Sequence, residues 1–224
     1  MNSDLRHMPD PEVFLAYERR FHASGCSSIA GIDEAGRGPL AGPVVAAAVV
    51  LPAGMFLPGV NDSKQMSPAA REEAYGAILR HARAVGVGVV GQEVIDRINI
   101  LNATFMAMHC AVGELPFRPD HLLVDGNRFQ DIGIPFTTIV AGDASSLSIA
   151  AASVVAKVTR DRLMVEYDGR FPGYGFARHK GYATREHCDA IARLGYCEIH
   201  RRSFHLKSQL DLDLHVMSTH NPSS

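Results

Sequence analysis

The chain has 224 residues, 46% of them hydrophobic, which suits one domain with a sizeable core. Its formal net charge of −2 argues against a uniformly basic nucleic-acid binder, and no apolar run is long enough to span a bilayer. The polar N-terminus, with Asp4, Arg6 and His7, lacks the apolar core of a secretory leader, so the expectation is a soluble cytoplasmic protein. Cys26, Cys110, Cys188 and Cys197 are scattered without disulfide or zinc-site spacing and read as reduced thiols.

Residues 1–26 read as a short extension in which Phe14, Leu15, Tyr17 and Phe21 fall at roughly helical spacing. A first strand is expected over residues 28–35 and a second over 44–51. Pro52, Gly54, Pro58, Gly59 and Asn61 mark a turn-rich loop. Ser67-Pro68 then offers an N-cap and a first-turn proline for a helix reaching about residue 84. Alternation over residues 85–90 predicts a third strand, and one or two helices cover 93–115. Further strands are expected at 121–125 and 136–140, and helices at 146–167 and 184–194. Strands first linked without helices and then alternating with them imply an α/β fold: a mixed five-stranded sheet flanked by helices, with a helical C-terminal portion. No repeat or linker divides the chain, and residues 215–224 are expected to fray.

The richest segment is Gly31-Ile32-Asp33-Glu34-Ala35-Gly36-Arg37-Gly38-Pro39, where two acids end an apolar run and a Gly-Arg-Gly turn follows. Glycines allow close backbone approach to an anion, and carboxylate oxygens are the hard ligands Mg²⁺ and Mn²⁺ prefer. Alone, the pair reads about equally well as a solvated strand end. Asp125 closes a second apolar run, however, and Asp143 precedes a long Ala-rich helical segment, so four acids mark the ends of buried elements.

The chain resembles the bacterial ribonuclease HII family. The shared motifs are GIDEAGRGPLAGPVV at 31–45, NDSK at 61–64, LLVDGN at 122–127, GDASSLSIAAASVVAKVTRDRLM at 142–164, FPGYGFARHKGYAT at 171–184 and HRRSF at 200–204. Several long motifs in one order are far more specific than any single signature. The resemblance implies an RNase H-like fold with a catalytic domain over residues 27–214. It implies an endonuclease that hydrolyses the RNA strand of RNA–DNA hybrids and incises 5′ of ribonucleotides embedded in duplex DNA. Two divalent ions, Mn²⁺ or Mg²⁺, would be held by Asp33, Glu34, Asp125 and Asp143, with Asp33 as the bridge, and the products would carry 5′-phosphate and 3′-hydroxyl ends. The backbone of Gly36, Arg37 and Gly38 would read the 2′-hydroxyl and the adjacent phosphate. Tyr182 would pack against the following deoxyribose, and Lys64 would contact phosphate. The implied partners are the hybrid and ribonucleotide-containing duplex DNA, met by a monomer with no membrane attachment.

Other readings fit less well. A resolvase or transposase would show the acids without the Gly-Arg-Gly and Tyr182 elements, and a non-catalytic binding module has no use for four acids beside a phosphate site. Ribonuclease HIII carries a substantial N-terminal domain that some 26 residues leave no room for. A dinucleotide fingerprint fails because Pro39-Leu40-Ala41 follows the Gly-Arg-Gly.

Strand geometry poses a difficulty, since neighbours on a regular strand face opposite sides. Asp33 and Glu34 can share one site only if the strand ends or bulges right after the pair, or if Glu34 ligates through its carbonyl. Crowded like charges should also raise some of the acids' pKa values. Between Lys157 and Lys207 lie eleven of the 22 basic residues against six acids, which makes the C-terminal third the expected duplex-holding surface. Within it, Arg160, Arg162 and Arg193 read as solvated helix-face charges, and Asp161 as a partner of its arginine neighbours or of solvent. His179, His187 and His200 invite a metal-free route through the 2′-hydroxyl, but the acids would hinder it. His179 and His200 are instead read as DNA-backbone or structural residues. The segment Gln209-Leu210-Asp211-Leu212-Asp213-Leu214 lacks the aromatic pair of a sliding-clamp peptide.

Overall fold

A computed structural model describes residues 10–204. The expected fraying of 215–224 and the reading of 209–214 lie outside the described residues. Five strands, β1 (Ile29–Ala35), β2 (Val44–Val50), β3 (Ala84–Val90), β4 (His121–Asp125) and β5 (Phe136–Ile139), form one sheet in the order β3-β2-β1-β4-β5. The β1–β2 and β2–β3 pairs are antiparallel, and β1–β4 and β4–β5 are parallel. This is the mixed sheet the sequence predicts, and each strand end lies within a residue or two of its expected place.

Around it stand α1 (Pro11–Phe14), α2 (Ala16–Ala23), α3 (Pro68–His81), α4 (Gln92–Gly113), α5 (Leu147–Arg170), α6 (Phe176–His179) and α7 (Arg185–Leu194). Ser67, Ser146 and Thr184 cap α3, α5 and α7 with their side chains. Helix α3 ends at His81, earlier than expected, because Ala82 is already extended and Arg83 donates to Val50 O at the start of β3. Within α4, Asn99 leaves helical geometry at φ 66° and its side chain accepts from Asn102 N, so the run is two helices joined by an internal cap. The short α6 and the 3₁₀ turn Gly142–Ala144 are not foreseen by periodicity, being too brief to show one.

Both sheet faces are covered, which explains the unbroken apolar run of β2. Val44, Ala46, Ala48 and Val50 pack under α4 with Ala103, Ala107 and Ala111, while Ala47 and Val49 face α3 and α5. Small residues bring the layers close. A Cβ at Gly86 or Gly88 would strike the backbone of α4, and one at Gly31 would strike the first turn of α5. The sheet therefore holds the start of α5 directly against β1.

The N-terminal segment joins this core. Phe14 and Leu15 are buried beside α5 residues. Glu18 Oε1 accepts from Ser146 Oγ (2.6 Å) and Ser148 N (2.9 Å), placing a carboxylate at the N-terminus of α5, while Oε2 has no partner among the described residues. No helix among the described residues is long and apolar enough to cross a membrane.

Candidate active site

The acids gather where β1, β4 and β5 end. By strand alternation Asp33 faces α5, as do Gly31 and Ile29, whereas Glu34 faces the α4 side with Ala30 and Ile32. The strand does not break after the pair: pairing with β2 continues regularly through Ala35. Asp33 is buried, 3% exposed, and its Oδ1 accepts from Glu34 N (2.7 Å). In the parallel β1–β4 ladder Ile32 pairs with Val124, so Asp125 follows at the next position beside Asp33. Asp125 Oδ1 accepts from Gly142 N (2.7 Å), which ties it to the 3₁₀ turn carrying buried Asp143. Ala141, left-handed at φ 54°, turns the chain into that position.

Electrostatics mark the group as a cluster. Burial, then the charges of Glu34 and Asp125, hold the Asp33 carboxyl well above the usual range. Burial also raises Glu34 and Asp143, opposed by Arg37 and Lys64 respectively. Arg37 Nη1 donates to Glu34 Oε1 at 3.2 Å, and Lys64 Nζ to Asp143 Oδ2 at 3.1 Å. Burial works against the Lys64 charge, but the hydrogen bond and charge of Asp143 raise its pKa overall. The loop bearing Lys64 is anchored by a buried Ser63–Ser153 hydroxyl pair at 2.8 Å.

No group of three or more His, Cys, Asp or Glu side chains among the described residues is placed to hold a metal ion as it stands. The donor chemistry fits one nonetheless. All the oxygens are hard carboxylate donors, and buried like charges repel until a cation relieves them. A cavity of about 320 Å³, lined by Glu34, Arg37, Thr104, Asp125, Asn127 and Arg128, opens on the α4 side of the acids.

Tyr182 stands beside this centre, 45% exposed, and a Cβ at Gly38 would lie 3.7 Å from its ring. It is therefore a surface aromatic next to the Gly36-Arg37-Gly38 turn. Its backbone is fixed from below: His187 Nδ1 lies 2.9 Å from Tyr182 O, and Gly181 N donates to His179 Nδ1 (3.1 Å). His179, His187 and His200 are all buried, with His187 and His200 Nε2 atoms 3.1 Å apart. Burial and the neighbouring His187 push His200 down to about 4. These histidines are structural, and of the two roles read for His179 and His200, backbone contact with DNA is excluded by their burial.

Two of the charge assignments need correction. Arg160 is not a solvated charge but 1% exposed, as is Arg201, and both donate to backbone carbonyls behind the Gly36-Arg37-Gly38 turn. Asp161 pairs with Lys157 (2.8 Å) and Arg71 (3.2 Å), not with its arginine neighbours. The signal for Arg160 was its spacing: Ala156, Arg160 and Met164 recur every four residues on the buried face of α5. Arg162 does lie outward, pairing with Glu72 at 2.7 Å.

Comparison with known proteins places the chain. The pattern of the family described as Ribonuclease HII matches residues 30–207. Ribonuclease HII of Geobacter metallireducens is 58% identical over 188 residues, covering 84% of this chain and 88% of that protein. Among solved structures, ribonuclease H2 from Pyrococcus horikoshii shares the fold, with TM-score 0.68 and 24% identity over 84% of this chain and 99% of its own. The RNase HII solved in complex with PCNA from Archaeoglobus fulgidus gives TM-score 0.65 and 27% identity, covering 80% of this chain and 96% of that chain.

Proposed function

The chain belongs to the ribonuclease HII family and is an endonucleolytic ribonuclease H; on that premise we propose that it cuts the RNA strand of RNA–DNA hybrids and incises 5′ of single ribonucleotides in duplex DNA, as a cytoplasmic monomer. The observation that carries this reading is adjacency. Buried Asp33 and Asp143, with Asp125, share one edge of the sheet with the Gly36-Arg37-Gly38 turn, and exposed Tyr182 lies against Gly38. Cleavage and junction recognition thus occupy one surface.

Asp33, Asp125 and Asp143 through their carboxylates, and Glu34 through its backbone carbonyl because β1 does not break after it, would hold divalent ions, Mg²⁺ or Mn²⁺, which supply an activated water and neutralise charge developing at phosphorus and the leaving 3′ oxygen. The remaining work belongs to the chain. The Arg37 and Gly38 amides face the 2′-hydroxyl and the adjacent phosphate, the handle that separates RNA from DNA at one position. Arg37 and Lys64 stand as cations at the rim, within reach of a phosphodiester. Tyr182 seats the deoxyribose after the ribonucleotide and so selects the junction.

The test is a duplex DNA holding one ribonucleotide, assayed with and without a divalent ion, with end-group analysis. Cleavage only with the ion, leaving 5′-phosphate and 3′-hydroxyl ends, is the expected result. A 2′,3′-cyclic phosphate product would reject water as the nucleophile.

A further inference from the structure

Arg160 and Arg201 are the largest side chains in the fully buried core, and no carboxylate among the described residues is paired with either. Burying a guanidinium without a counter-ion is costly, so its other partners matter. Arg160 donates from Nε to Pro43 O (2.9 Å), from Nη1 to Lys180 O (3.0 Å) and from Nη2 to Ala41 O (3.2 Å). Arg201 donates from Nε to Gly42 O (3.0 Å), from Nη1 to Arg37 O (2.9 Å) and from Nη2 to Gly36 O (2.5 Å). Five of the six carbonyls belong to the loop from Gly36 to Pro43, and the sixth lies two residues before Tyr182.

Peptide geometry converts this into an orientation. All peptide bonds here are trans, so each carbonyl points opposite to the N–H of the next residue. With Gly36 O and Arg37 O drawn inward onto Arg201, the N–H groups of Arg37 and Gly38 are turned outward. Neither donates to an acceptor among the described residues, whereas the neighbouring Leu40 N and Gly42 N are satisfied by Gly181 O and Ile199 O. Gly36, at φ 96°, is glycine for the same reason: a Cβ there would collide with Arg160 Nε. Through Lys180 O, Arg160 also sets where the Tyr182 turn stands relative to the loop, and Gly181 lies too close to Ala41 O to carry a side chain.

We infer that Arg160 and Arg201 are positioning residues for substrate recognition, drawing carbonyls inward so that the Arg37 and Gly38 amides form a preformed seat for a phosphate group with Tyr182 fixed beside it. Neither arginine touches substrate; both act through the loop. The inference rests on the reading that this loop contacts the nucleic acid.

The experiment is a cycle between protein and substrate. Arg201→Lys keeps the charge, but one ammonium cannot span three carbonyls in a plane. Wild type and variant are assayed on the single-ribonucleotide duplex and on duplexes in which each phosphate flanking the ribonucleotide is replaced in turn by an uncharged methylphosphonate. One such replacement should cost the wild type about ten- to hundredfold in kcat/KM, the range for a hydrogen bond to a charged group. If no position costs it anything, the loop does not bind phosphate and the underlying reading fails, whatever the arginines do. Arg201→Lys should raise KM about tenfold with a smaller change in kcat, and the sensitive methylphosphonate should then cost it little further. Wild-type kinetics in Arg201→Lys, or losses that simply multiply, would overturn the inference. Should Arg201→Lys fail to fold, Arg160→Lys is read by the same cycle; unfolding of both would make the pair structural and overturn it too.

Discussion

The acid cluster and the recognition corner lie side by side and are built on opposite principles. At the ends of β1 and β4, buried Asp33 and half-buried Glu34 and Asp125 repel one another, and among the described residues Arg37 and Lys64 at the rim offset their charge. Behind the Gly36–Pro43 loop, two buried cations are satisfied by six carbonyls before any ligand arrives. The first region is left unfinished by its charges; the second has its buried donors already satisfied. Catalysis can depend on an added ion while recognition stays preorganised, so a change in one should leave the other measurable.

The largest effect should come from Asp33→Asn. Removing one of the converging acids at nearly constant volume should lower cleavage by more than about 10³-fold, as loss of a central catalytic group does. Because it also removes a buried like charge, the metal-free variant should melt no lower than wild type. A lower melting temperature would mean that Asp33 is a structural anchor and not part of a repelling cluster.

Gly36→Ala strikes the finished side. A Cβ at φ 96° against Arg160 should cost roughly 2–4 kcal/mol of stability from strain and overpacking, measurable by denaturant unfolding. Metal affinity, followed by calorimetry, should change little. Unaltered stability would show that the loop is loose.

Acid should separate the two regions by sign. His200 in the fold holds its proton less tightly than in the unfolded chain, about 4 against 6.5, because of burial and His187. The unfolded state therefore takes up more protons as pH falls, and stability present above about pH 6.5 is lost toward pH 4, by up to about 3 kcal/mol. Asp33, raised by burial and its acidic neighbours, shifts the opposite way, its repulsion relieved as it protonates. A His200→Gln variant should flatten the fall between pH 6.5 and 4; an unchanged profile would remove His200 as its source.

Tyr182→Ala tests recognition most finely. It keeps all four acids, so long hybrids, which offer many registers, should still be cut. A single ribonucleotide offers one register, and losing the aromatic contact should cost about ten- to hundredfold in kcat/KM there. Equal loss on both substrates would assign Tyr182 a structural role.

Much of this was legible in the sequence because it is written locally. The strands, the Ser67 cap and the acids at strand ends depend on neighbours a few residues away. What resisted was set at long range. Arg160-Asp161-Arg162 has the look of a solvated helix face, and only contact with a loop over a hundred residues earlier makes Arg160 a core residue. The face taken by Glu34 turned on whether β1 broke after it, which pairing with β2 decides. Asn99 could cap a helix from within a longer apolar run without disturbing its periodicity.

The seat of Glu18 has a consequence for the order of assembly. Helices α1 and α2 leave the ribosome well before α5, yet Ser146 and Ser148, which receive that carboxylate, lie 128 and 130 residues downstream. Phe14 and Leu15 likewise pack on α5. The loop to be closed is long, and its entropy is recovered only after α5 exists. These helices, synthesised long before α5, can thus be seated only after it, and their docking completes the end of α5 from which the Asp143 turn hangs.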